Sequence, residues 1–124
     1  MPKRQASSET RQIGVAEFLE VHVTVPDRDV ADRIAAAVVG ERLAAGAQLV
    51  APITSVYWWR GEMRRADEWL LFMKTTGERF EELAATIRRL HSYEVPQIIA
   101  VPLVAGTADY LEWIRREADP ELGA

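Results

Sequence analysis

The sequence predicts an α+β sandwich: a four-stranded sheet, two helices on one of its faces, and a third helix appended. Three observations predict it. From Leu49 to Thr75 the chain reads as one long β-hairpin, with β-branched and aromatic residues on both sides of Gly61. Two other segments, one after Asp27 and one after Thr75, repeat apolar residues at helical spacing. Flanking strands complete the order strand, helix, strand, strand, helix, strand, helix. With 124 residues the chain has the size of one domain that can bury a core.

Each element has its own signals. Residues 1–14 are polar, carry Lys3, Arg4 and Arg11, and are expected to be a disordered tail ahead of a domain over 15–118. Glu17 to Val25 reads as the first strand, with Leu19, Val21, Val23 and Val25 on one face and Phe18, Glu20, His22 and Thr24 on the other. Pro26-Asp27 ends it, and Asp27 is placed to cap a helix carrying Val30, Ala31, Ile34, Ala35, Val38 and Leu43. Gly46 falls where a helix C-terminus favours glycine.

In the hairpin, alternation sets Leu49, Ala51, Ile53, Ser55, Tyr57 and Trp59 on one face, and Val50, Thr54, Val56, Trp58 and Arg60 on the other. Pro52 cannot donate to a ladder and marks an edge or a bulge. Thr75 and Glu78 stand at capping-box spacing before a helix whose apolar face is Phe80, Leu83, Ala84, Ile87 and Leu90. A loop over 91–96, a short strand from Gln97 to Leu103, and a helix from Ala108 to about Glu117 capped by Thr107 follow, with a tail over 119–124. The first six elements match the split β-α-β arrangement of ferredoxin-like folds, with an extended hairpin between the second and third strands and an added C-terminal helix.

Composition narrows the function classes. There is no cysteine, hence no disulfide, thiolate metal site or cysteine nucleophile, and a reducing, cytoplasmic setting is expected. Residues 1–12 lack an apolar h-region, and no apolar run spans a bilayer. A formal net charge of −4 makes nucleic acid and anionic membrane poor partners. No phosphate-cradling glycine motif is present. No nucleophile, base and oxyanion site can be assembled, so no catalytic residue is assigned. The hairpin is apolar on both faces. Two helices cover only one, so a second copy of the protein is expected on the other.

These residues, taken together, resemble the CutA family of divalent-cation tolerance proteins. The matching pieces are Glu41-Arg42-Leu43-Ala44-Ala45, Ile53 to Gly61, Lys74-Thr75, His91-Ser92-Tyr93-Glu94-Val95-Pro96 and Tyr110-Leu111-Glu112-Trp113-Ile114. They run in the family's order from about Glu17 to Ile114. The resemblance implies a ferredoxin-like domain related to PII signalling proteins, assembled as a tight homotrimer. It also implies a link to copper and other divalent-ion tolerance and, in plants and animals, to anchoring of a membrane enzyme. One departure stands out. The family's copper group is a cysteine with the histidine and glutamate of the His-x-Tyr-Glu piece. The matching positions are Gly46, His91 and Glu94, so the soft ligand is absent, and the family's asparagine two residues on is Gln48.

His91 and Glu94 are therefore the metal candidates, for copper or another divalent ion held weakly. The competing reading is a histidine at a helix C-terminus beside a capping carboxylate. Lys74, Tyr93, Glu94 and Trp113 are the candidates for a ligand pocket at a subunit junction; a salt bridge from Lys74 to Glu94 or Glu68 is the alternative. His22 is expected as a hydrogen-bonded interior histidine. Tyr57, Trp58, Trp59 and Trp69 are assigned to the trimer interface rather than to a sugar or cation cage. The function expected is a homotrimeric binding or regulatory protein of divalent-metal tolerance. The alternatives are a PII-like sensor of a small anionic metabolite, or a purely structural trimer.

Overall fold

The computed structural model describes residues 16–121. The expected tail over 1–14 and the last residues of the tail over 119–124 lie outside them. β1 is Phe18–Val25, α1 Arg28–Gly40, β2 Gly46–Trp59, β3 Glu62–Thr76, α2 Phe80–Leu90, β4 Ile98–Pro102 and α3 Ala108–Glu117. The strands form one antiparallel sheet in the order β2-β3-β1-β4, the ferredoxin-like arrangement.

The core forms on one sheet face because the apolar alternation of the strands meets the apolar stripes of two helices. Val21, Val23, Val25, Leu71 and Met73 pack with Val30, Ala31, Ile34 and Val38 of α1 and with Phe80, Leu83, Ala84 and Ile87 of α2. Asp27 caps α1 as expected, its carboxylate accepting from the Val30 amide at 3.0 Å. Register places the opposite side chains, Glu20, His22, Thr24, Leu70, Phe72 and Lys74, on the second face together with Ile99 and Val101. α3 closes only one end of that face. Its Trp113 ring lies above Gly46, and its Arg115 guanidinium stacks 4.9 Å above the Phe18 ring.

Four local expectations are corrected. α1 ends at Gly40, not near Gly46, because Arg42 takes a positive φ of 61°. Two residues hold it there: Arg79 donates to its carbonyl from Nε and Nη2, and Glu117 accepts from its guanidinium. Gly46 opens β2. The capping box at Thr75 does not form, since Thr75 and Thr76 still belong to β3. A 3-10 turn over Gly77–Arg79 precedes α2, and the Thr75 hydroxyl donates to the Leu43 carbonyl at 2.7 Å. Thr107 stands at the cap position of α3 without a side-chain hydrogen bond.

The fourth correction concerns the hairpin. Pro52 sits on the edge strand, after a cis Ala51–Pro52 bond, and the pairing register shifts between Val50 and Ile53. Both expectations for Pro52, edge and bulge, hold. The extra residue exchanges the faces of everything beyond it. Leu49 pairs with Leu71 on the covered face, yet Ile53 pairs with Glu68 on the uncovered one. Ile53, Ser55, Tyr57 and Trp59 therefore share a face with Val50, Leu70 and Phe72, not with Leu49. Beyond Trp69, β3 pairs with β2 alone. The result is a two-stranded arm about 20 Å long at ~3.4 Å per residue. Arg60 and Gly61, both at positive φ, turn it in two residues, as the twist of paired strands favours.

Candidate binding site

The residues singled out from sequence fall into two groups at opposite ends of the uncovered face. One group surrounds Lys74. Its ammonium lies 3.0 Å from Glu20 Oε1 and donates to Gln48 Oε1 at 3.2 Å. Glu20 Oε2 is in turn 2.7 Å from His22 Nε2, and the His22 ring meets Phe72 edge to face. Burial disfavours the Glu20 carboxylate, but hydrogen bonds from His22 and Lys74 outweigh it and hold its pKa below the usual range. Trp113 overhangs this group across Gly46, which pairs with Lys74, and Tyr110 stacks beside Trp113 at 5.3 Å.

The second group lies along the arm. The Tyr93 hydroxyl donates to Glu68 Oε2 at 2.6 Å, and Glu94 pairs with Arg60 at the tip at 2.8 Å. Burial, then the Glu68 carboxylate it serves, pushes the Tyr93 phenol far above its ordinary pKa. His91 Nε2 is 2.7 Å from the Thr24 carbonyl, and its Nδ1 accepts from the Tyr93 amide at 3.1 Å. A carbonyl can only accept, so the proton sits on Nε2 and both ring nitrogens are engaged. Burial lowers the His91 pKa.

The structure thus brings Lys74 and Trp113 together and places Tyr93 and Glu94 elsewhere in the same chain. His91 and Glu94 have separate partners. Of the aromatic residues assigned to an interface, Tyr57 and Trp59 lie on the uncovered face. Trp58, 73% exposed, points to the other side beside Met63. Trp69 packs against the chain's own core, with Arg28 stacked over it at 5.3 Å. Glu20 and its contact with His22 were missed by sequence reasoning. The signal was present, since residues two apart on a strand share a face.

Among the described residues no three His, Asp or Glu side chains gather as a metal-holding group. An open cleft of about 440 Å³ beside α2 is lined by Glu41, Leu43, Arg79, Thr86 and Arg89, among others. Its buried Arg79 is already committed to the Arg42 carbonyl and Glu82. No described helix is long and apolar enough to cross a membrane.

Comparison with known proteins gives one consistent match. A family model described as "CutA1 divalent ion tolerance protein" matches residues 19–117. The "Divalent-cation tolerance protein CutA" of Thermus thermophilus is 45% identical over 95 residues, which is 77% of this chain and 92% of that one. The solved divalent cation tolerance protein from Thermus thermophilus superposes with a TM-score of 0.79 at 43% identity, covering 81% of this chain and 97% of that one. CutA from Xylella fastidiosa superposes with a TM-score of 0.81 at 32% identity, covering 84% and 100%.

Proposed function

Because the chain belongs to the CutA1 divalent ion tolerance family, we propose that it is a homotrimeric binding protein for divalent cations with no catalytic chemistry of its own. The observation that carries this reading is the uncovered sheet face. Val50, Tyr57, Ile99 and Val101 remain exposed on it in a single chain, around the polar island of Glu20, His22, Gln48 and Lys74. A surface of this kind is suited to association.

Three copies arranged in a ring would lay each arm on a neighbour's uncovered face. The same closure would bring Tyr93 and Glu94 of one copy toward Lys74 and Trp113 of the next, which a single chain does not do. Light scattering at low micromolar concentration tests the assembly; the expected mass is that of three chains of 14.0 kDa. A clean monomer would overturn it. A thermal-shift screen tests the ligand class. Stabilisation by Zn²⁺ or Cu²⁺ is expected, whereas a nucleotide or carboxylate as sole hit would favour the metabolite sensor. Glu20 already neutralises Lys74, which argues against an anion as the main ligand.

A further inference from the structure

We propose that the outer side of the arm, turned away from the uncovered face, docks on the same side of the arm in a second copy of this chain, about a two-fold axis. The proposal goes beyond the reading above, which engages only the other side of the arm.

The register defines the surface. Thr54, Val56 and Trp58 of β2 pair with Asp67, Arg65 and Met63 of β3, so these side chains project to one side. All are exposed, Trp58, Met63 and Val56 by 73%, 68% and 56%. The opposite side is more enclosed, with Ile53, Ser55 and Trp59 half-buried and Glu68 buried beside Tyr93. The core stops at Trp69, where Arg28 of α1 stacks, and among the described residues it has no member nearer the tip. Large apolar side chains clustered in water in this way mark an interaction surface.

The charges identify the occupant. Arg65 and Asp67 stand two residues apart on one strand, a separation of about 7 Å. Among the described residues neither has an ion pair, and Asp67 receives only the Thr54 hydroxyl at 3.5 Å. A partner of uniform charge can satisfy only one of them. A second copy laid face to face with antiparallel strands satisfies both. A two-fold axis at Ala66 sets Arg65 against Asp67 of the second copy and Asp67 against its Arg65. The same operation sets Met63 against the half-buried Trp69 of the second copy, a thioether against an indole. Moving the axis by one residue, to Arg65 or to Asp67, sets like charge on like. The complementary register is therefore unique among these three.

The contact is small. Face-to-face sheets lie about 10 Å apart, a gap that two layers of side chains fill. The side chains named fall well short of the roughly 20–30 residues a side of a stable interface. The contact is therefore open at the low micromolar concentration that measures the ring and forms at several hundred micromolar. With all three arms of one ring engaged on one partner ring, association closes at twice the starting mass.

Sedimentation velocity of the full chain across that concentration range tests the proposal. Wild type should approach twice its dilute mass when concentrated. Trp58→Asp, Arg65→Asp and Asp67→Arg should each hold the dilute mass throughout. The double variant Arg65→Asp with Asp67→Arg should double again, since the exchange restores both pairs, a rescue that misfolding cannot produce. Wild type that never doubles overturns a second copy as the occupant and assigns the face to a partner of different sequence. Doubling that persists in Trp58→Asp overturns the surface. A double variant that stays at the dilute mass, or growth without a limit at the double, overturns the two-fold. A dilute mass of one chain overturns the ring alone, because the doubling and its rescue are read independently of it.

Discussion

At Gly46 the side chain is a hydrogen, and that admits the Trp113 indole to the sheet. A Cβ there would lie 3.2 Å from Trp113 Cη2, closer than comfortable packing, although the backbone at Gly46 does not occupy the left-handed region. Gly46→Cys is therefore expected to cost about 1–3 kcal/mol by overpacking. Trp113→Leu in that background should recover part of the loss in thermal melts. A cysteine at this position thus displaces a ring as well as adding a thiol. Tyr93→Phe removes the donor to Glu68, which is 6% exposed, and is expected to cost about 2 kcal/mol in denaturant unfolding. His91 gives a pH dependence. Burial lowers its folded pKa below the unfolded value of about 6.5, so its contribution is fully present above that pH and is lost as pH falls through the folded value. Unfolding measured between pH 8 and pH 5 should show that slope reduced in His91→Gln.

The elements themselves were largely legible in the sequence, for a physical reason. Strand alternation and helical spacing are local, and Val21, Val23 and Val25 or Leu83 and Ile87 declare their buried faces without reference to the rest of the chain. Element ends were less legible. Glycine and threonine are the usual markers of helix ends, but here Arg42 takes the left-handed position because Arg79 and Glu117 secure it. Nothing local announces that. The polar groupings were legible only in part: Lys74 and Tyr93 looked like neighbours, and the arm separates them. At the tip, Gly61 has a φ of 79°. Gly61→Val should destabilise the hairpin by about 1–2 kcal/mol, read as faster amide exchange confined to the arm.

For the whole molecule, the faces of the arm decide what can assemble. Phe72→Asp, on the uncovered face, is expected to yield a folded chain of reduced mass in light scattering. Trp58→Asp, on the opposite side, should leave the mass unchanged. Equal effects would show that both sides of the arm are engaged. The single extra residue between Val50 and Ile53 lets Tyr57 and Trp59 share the uncovered face with Val50, since strand side chains otherwise alternate with a period of two. The arm therefore has a parity. Removing Ala51 alone should close the bulge and leave Ile53 opposite Glu68 and Tyr57 and Trp59 on the uncovered face, whereas removing one residue of β2 between Ile53 and Tyr57 should shift the rest against β3 and reverse their facing. A shortening by two residues beyond the bulge preserves the sense of every side chain. Beyond the bulge, length changes in this strand are thus tolerable only in even steps, a counting rule that its composition does not reveal.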